Sequence, residues 1–336
     1  MDAPQSDGLV PRSTQEILTQ TFRTYTDNLA AYLSASATVI IPLAIIGFVI
    51  GEIFIDDAVV ATINEQTGEV TDFEVNAEAF GAVFGAAFLL GIVTLIIQQI
   101  FLNGVFTFIA SEDLLGRQIT PVQAFASIKD RFATLGLGLV MVYAILISIT
   151  FALAFVFFLC GLGIGVIIFL GVTLFSFLVP TIILENVSAG QGLRRSFALA
   201  KARFWPVFWV TAAVIIINSL LQILFSFNIF GLGDSALAQT IIGATYNLIV
   251  APIMPIALTL TYYDTRIRME GLDMGLAAVD SPTPRPADVP STDLEVAFTR
   301  QDVSIIVVLS VGAIVLVLGL SVLFGTFSST VVTTTP

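Results

Sequence analysis

In a chain this apolar, few side chains could do chemistry. Histidine is absent, and Cys160 is the single cysteine among 336 residues. Without imidazole the commonest general base and metal ligand is missing. One thiol makes neither an intrachain disulfide nor a zinc or iron-sulfur site, so Cys160 reads as a small buried hydrophobe. There is no nucleophile motif and no pair of acids within an apolar run. The sequence therefore predicts no catalytic residue, no metal and no cofactor, and a protein that is not an enzyme. Asp56, Asp57, Glu65, Glu69, Asp72, Glu74 and Glu78 are scattered along one segment and read as a solvated loop rather than a carboxylate metal site. Gly161, Gly163 and Gly165 imitate part of a dinucleotide fingerprint, but no strand precedes them and no acid follows. The pairs Gly47 with Gly51, Gly81 with Gly85, and Gly161 with Gly165 have the four-residue spacing that lets membrane helices approach closely.

Three polar groups remain. Gln98, Gln99, Asn103, Asn218, Gln222 and Asn247 lie inside apolar runs, where an amide facing lipid costs free energy. They are expected to point inward and bond across helices, and Gln98 with Asn218 or Asn247 could line a polar pathway. A second group is basic: Lys129 and Arg131, then Arg194, Arg195, Lys201 and Arg203. A third combines Glu185 and Asn186 with Asp264, Arg266, Arg268, Glu270 and Asp273. It reads as a solvated structural cap in which Arg266 and Glu270 are four apart on a helix.

These groups must be positioned by helices. Hydrophobic residues make up 57% of the chain and charged residues 11%, and the apolar residues form unbroken runs. In lipid every backbone polar group must be satisfied internally, so runs of about 20 such residues are transmembrane helices. Seven spans are expected, at 34 to 55, 79 to 110, 133 to 159, 162 to 184, 204 to 227, 237 to 262 and 303 to 325. All 13 Lys and Arg residues then fall on one side, which the positive-inside rule makes cytoplasmic. The expectation is a multi-pass protein of a cytoplasmic membrane with its N-terminus inside and its C-terminus outside. The polar start of the chain has none of the marks of a cleaved signal peptide. Pro252 and Pro255 are expected to interrupt the sixth helix. The net charge of −12 argues against nucleic acid as a partner.

Three cytoplasmic segments open alike: Ser13 with Glu16, Thr120 with Gln123, and Ser188 with Gln191 have capping-box spacing. In the third, Leu193, Phe197, Ala200 and Phe204 share one face, with Arg194, Arg195, Lys201 and Arg203 off it. Such a helix is expected to lie on the inner leaflet with its bases reaching anionic headgroups. The fold class is thus an all-α polytopic bundle: three repeats of an interfacial amphipathic helix and a helix pair, with an added C-terminal span. Its parts are an N-terminal segment (1–33), a six-span domain (34–275), a proline-rich cytoplasmic linker too polar to bury a core (276–302), the seventh helix (303–325) and an external tail (326–336).

Two stretches carry a resemblance. One is Pro180 to Ser188, with Glu185 and Asn186, continuing through Leu193-Arg194-Arg195-Ser196-Phe197 to Phe204-Trp205. The other runs from Tyr262 to Asp273. Together they resemble the glycerophosphoryl diester phosphodiesterase membrane domain family and its multi-span relatives, over residues 12 to 275. The resemblance implies an architecture rather than an activity, and its motifs hold no catalytic group. After residue 275 only a linker and one more span are expected, and no fused soluble enzyme domain is expected there. The function expected is a non-catalytic domain that binds or organises membrane lipid, with anionic phospholipid as partner; the alternative is a small-solute transporter or channel.

Overall fold

The computed structural model describes residues 9–63, 70–75, 81, 85, 88–92, 94, 96–160, 163–226, 235–292 and 296–332. Three short helices begin at the three capping boxes. Helix α1 (Thr14–Asp27) starts where the Ser13 amide donates to Glu16 Oε2 at 2.6 Å and the Glu16 amide donates to Ser13 Oγ at 3.3 Å. Each side chain thereby satisfies an amide that a helix start leaves open.

The same motif opens two more helices. Helix α1 leads into α2 (Leu29–Ala58), and α3 (Asn103–Leu114) precedes the second capped helix, α4 (Pro121–Ile128). Thr120 and Gln123 close the box of α4 in the same reciprocal way, at 2.9 and 3.3 Å. The remaining helices are α5 (Phe132–Cys160), α6 (Gly163–Phe175), α7 (Leu178–Leu184), α8 (Ala189–Ala202), α9 (Phe204–Ser226), α10 (Ala236–Val250), α11 (Ile253–Glu270), α12 (Leu272–Ala278) and α13 (Arg300–Val332). At α8 both the Ser188 amide and its hydroxyl donate to Gln191 Oε1, at 3.2 and 2.8 Å. Each capped helix runs almost directly into a long apolar one: α1 into α2, α4 into α5, α8 into α9.

Five helical stretches among the described residues are long and apolar enough to cross a membrane: Leu29–Ile50, Pro121–Leu153, Gly163–Leu184, Phe204–Ser226 and Ala236–Glu270. These are the dimensions of a multi-pass membrane protein. The sixth expected span is divided between α10 and α11 at Ala251 and Pro252, because a proline supplies no amide to the helix ladder. Helix α11 then continues beyond the expected end at 262, carrying the charged extension to Glu270.

The segment read as a solvated loop is different. Strands β1 (Val59–Ile63) and β2 (Val70–Val75) pair antiparallel, Val59 opposite Val75 and Thr62 opposite Asp72, with an irregularity between Thr62 and Ile63. Runs such as Val59-Val60-Ala61-Thr62-Ile63 favour strands through their β-branched side chains, a signal that the row of acids obscured.

The chain divides into two compact units. One is built mainly from Arg12–Phe132 and Ala212–Leu260, the other from Leu9–Pro11, Ala133–Thr211 and Thr261–Pro336. In the first, α2 packs along α10, and the Tyr25 hydroxyl donates to the Ile249 carbonyl at 2.9 Å. Phe101, Phe125 and Phe132 form an aromatic cluster there, with centroids 4.8 to 5.4 Å apart. In the second, α6 packs on α8 and on α13. A Cβ on Gly165 would overlap the Ile306 carbonyl oxygen and Ser310 Oγ, so Gly165 permits the close crossing of α6 and α13. Among the described residues, a Cβ at Gly81 or Gly85 would meet nothing within 4 Å. Gly161 lies outside the described residues, as do the side chains from 51 to 80.

Three helices end alike. Among the described residues the backbone takes a positive φ at Gly116 (73°), Asn186 (62°) and Gly271 (64°). These follow the ends of α3, α7 and α11, and beside each is a carboxylate paired with an arginine: Glu112 with Arg117 at 2.5 Å, Glu185 with Arg195 at 2.6 Å, and Glu270 with Arg266 at 2.6 Å. A left-handed residue turns the chain out of a helix and is favourable only for Gly and, less so, Asn.

Candidate functional site: a buried charge cluster

The second unit brings the two charged stretches together. Its local cause is a break between α6 and α7 at Ser176 and Phe177. Ser196, fully buried on α8, donates from Oγ to the carbonyls of Thr173 and Leu174 at 3.1 and 3.0 Å and accepts from the Phe177 amide at 3.2 Å. One hydroxyl thus satisfies groups that the broken helix leaves open. Gly192 permits the accompanying approach of α7 and α8, since a Cβ there would lie 2.5 Å from Ile182 Cγ1.

That crossing sets Glu185, at the end of α7, beside Arg195 on α8. Arg195 engages two acids at once. Its Nε donates to Glu185 Oε2 at 2.6 Å and its Nη2 to Glu185 Oε1 at 3.2 Å, while Nη1 and Nη2 meet Glu270 Oε1 and Oε2 at 2.7 and 2.8 Å. The planar guanidinium suits such bidentate pairing. From α11, Arg266 donates through Nε to Glu270 Oε2 at 2.6 Å and through Nη1 to the Tyr262 hydroxyl at 3.2 Å. The Tyr262 hydroxyl donates to Glu185 Oε1 at 2.8 Å. Two acids balance two arginines, and Arg266 is 0% exposed. Burial by itself would lower the Arg195 pKa, but its hydrogen bonds to Glu270 and Glu185 and the attraction of both carboxylates hold it above its ordinary value. Arg195 is therefore cationic throughout the accessible pH range.

The charged extension is thus a buried network, where a solvated cap was expected. The linker is docked as well. Arg266 Nη1 donates to the Pro286 carbonyl at 3.1 Å, Arg195 Nη1 to the Thr292 carbonyl at 3.1 Å, and the Thr292 amide to Glu270 Oε1 at 3.3 Å. Val289 packs on Gly275, where a Cβ would come within 2.5 Å of Val289 Cγ1. Composition describes the linker's side chains, and the contacts that hold it are largely made by its backbone.

Of the bases expected at lipid headgroups, Arg195, Lys201 and Arg203 are engaged within the protein. Lys201 pairs with Asp302 at 3.4 Å, Arg203 and Arg268 both pair with Asp264, and Arg195 is in the cluster. The reason is proximity: α8 runs beside the charged ends of α11 and α13, and a buried carboxylate must find a cation. Arg194 and Lys129 are exposed and Arg131 is half-buried. Asn186 supplies the left-handed turn that joins α7 to the α8 capping box.

The amides expected within spans do not all turn inward. Gln98, Gln99 and Asn103 are half-buried at a π-helical turn, Gln98–Leu102, and Asn103 Nδ2 donates to Gln99 Oε1 at 2.5 Å. Asn247 donates to the Gly243 carbonyl in its own helix, and both Asn247 and Gln222 are exposed. Asn218 accepts from the Tyr246 hydroxyl through its carbonyl at 3.0 Å, while its Oδ1 is buried with no hydrogen-bond partner among the described residues. A long polar side chain in a helix can thus be satisfied by the preceding turn, without a neighbouring helix.

Among the described residues no group of three or more His, Cys, Asp or Glu residues is placed to hold a metal ion. The chain matches no family model, no curated protein and no solved structure.

Asp302 and the Glu112 with Arg117 pair are structural residues that motif and spacing did not single out, and Ser196 and Tyr262 stood in the sequence only as members of the two stretches that carry the resemblance. An acid near the end of each return helix, followed closely by Gly or Asn, would have pointed to the three pairs.

Proposed function

We propose that this protein is a non-catalytic domain of the cytoplasmic membrane that binds or organises lipid at the inner leaflet, with its N-terminus inside. The carrying observation is that each capped helix buries one face in its own unit and is accompanied by an outward base. Helix α1 buries Ile17 and Tyr25 and exposes Arg23; α4 buries Ala124 and Ile128 and is followed by exposed Lys129; α8 buries Leu193 and Phe197 and exposes Arg194. Exposed Phe22 and Val122 accompany them. Apolar residues beside outward bases suit an interface rich in anionic headgroups, where each base contributes about 1 kcal/mol.

Seven spans and a threefold repeat belong to the same proposal. The repeated order of capped helix, long helix and return, closed by a positive φ and an acid paired with arginine, supports it. Kinship with the glycerophosphoryl diester phosphodiesterase membrane domain is likewise a proposal. Its support is that Glu185, Arg195, Tyr262, Arg266 and Glu270, all from the two stretches that carry the resemblance, meet in one cluster. A cluster whose charges balance within the protein favours a structural role for these residues.

The alternative, a solute transporter or channel, draws on the interrupted helix at Pro252 and the half-buried amides. Outward Gln222 and Asn247 give it less support.

Native mass spectrometry with lipidomics on the full-length protein tests the reading, alongside a variant with Arg23→Gln, Lys129→Gln and Arg194→Gln. Retained anionic phospholipid that the variant loses is the expected result. Absence of selective lipid from both proteins would contradict it.

A further inference from the structure

Lys201, at the last turn of α8, holds the start of α13. Its Nζ donates to the Ala297 carbonyl at 2.5 Å and lies 3.4 Å from Asp302 Oδ2. The two side chains are 9% and 3% exposed, and the ammonium stands 5.9 Å from the Phe197 ring centroid. Asp302 also caps α13, accepting from the Thr299 amide at 2.7 Å and the Thr299 hydroxyl at 2.9 Å. Phe298 joins the junction by packing on Phe169 and Phe197, with centroids 5.9 and 5.8 Å away.

The outer side of the same junction is apolar: Phe298 is 59% exposed and Val303 56%. Among the described residues, Lys201 and Asp302 thus form an electrostatic tie between α8 and α13, beside apolar residues of the kind that sit at the headgroup boundary. Asp302 occupies the place that a phosphate oxygen would take on Lys201. When Asp302 leaves, Lys201 has an unbalanced charge, which an anionic headgroup neutralises and a zwitterionic one does not.

We propose that the Lys201 to Asp302 pair is a latch that anionic phospholipid headgroups open, coupling lipid at the inner leaflet to the start of α13. This rests on the lipid reading above and adds a regulated contact to it.

Hydrogen exchange at residues 296–303 in the full-length protein tests the latch, in nanodiscs of phosphatidylcholine alone and of an equal mixture with phosphatidylglycerol. The wild type is expected to exchange about tenfold faster in the mixture. Lys201→Gln is expected to exchange fast in both. Equal wild-type exchange in the two nanodiscs overturns the latch. If phosphatidylglycerol is nevertheless retained in native mass spectra, the latch fails and the lipid reading stands; if none is retained, both fail.

Discussion

Arg195 and Glu270, 75 residues apart in the chain, meet through two parallel contacts, Nη1 to Oε1 at 2.7 Å and Nη2 to Oε2 at 2.8 Å. The same guanidinium reaches Glu185 at 2.6 Å, so α7, α8 and α11 are joined at a single side chain. Arg195→Gln leaves two buried carboxylates short of a cation and is expected to destabilise the protein by about 3 to 5 kcal/mol. Glu185→Gln added to it restores charge balance, with Arg266 still facing Glu270, and is expected to recover much of the loss. Thermal unfolding in detergent of the wild type, both single variants and the double variant checks this. Equal destabilisation by the double and by the sum of the singles would show that the two residues are not coupled.

Ser196 gives a second prediction, at the break between α6 and α7. Ser196→Ala removes a hydroxyl that makes three bonds to backbone groups, in a place closed to water. The expected cost is about 1 to 3 kcal/mol, with faster hydrogen exchange at the Phe177 amide. An unchanged apparent Tm together with unchanged exchange would contradict this account of the break.

The sequence revealed the helix starts more fully than the helix contacts. Ser13, Thr120 and Ser188 were legible as caps because a cap is a local bargain between residues three apart. Pro252 was legible for a similar reason. The partners of Arg195, Lys201 and Arg203 were not, because an amphipathic pattern says which face is polar and says nothing of what lies opposite. Helix α8 showed a basic face suited to headgroups, and the acids that meet it come from positions 185, 264, 270 and 302. The contacts of the linker were not legible because proline and acid content describe side chains, whereas the Pro286 and Thr292 carbonyls are what the arginines bind.

Gly165 gives a third prediction. Gly165→Ala is expected to push α13 away from α6 and to lower the apparent Tm, because the new Cβ meets backbone at Ile306. Gly171→Ala, on the same helix with nothing within 4 Å of the new Cβ, is expected to be neutral or to gain about 0.5 to 1 kcal/mol from helix propensity. Similar behaviour of the two variants in thermal unfolding would remove the close crossing from the account.

The central claim is that the capped helices and every base lie on the cytoplasmic side, which substituted-cysteine labelling tests most directly. In a Cys160→Ala background, single substitutions Thr62→Cys in the hairpin, Ser127→Cys on α4 and Thr283→Cys in the linker would be treated with an impermeant maleimide, before and after opening the cells. The account predicts that Thr62→Cys is labelled on intact cells, and that Ser127→Cys and Thr283→Cys are labelled only once the membrane is opened. Labelling of Ser127→Cys or Thr283→Cys on intact cells, with Thr62→Cys protected, would contradict it.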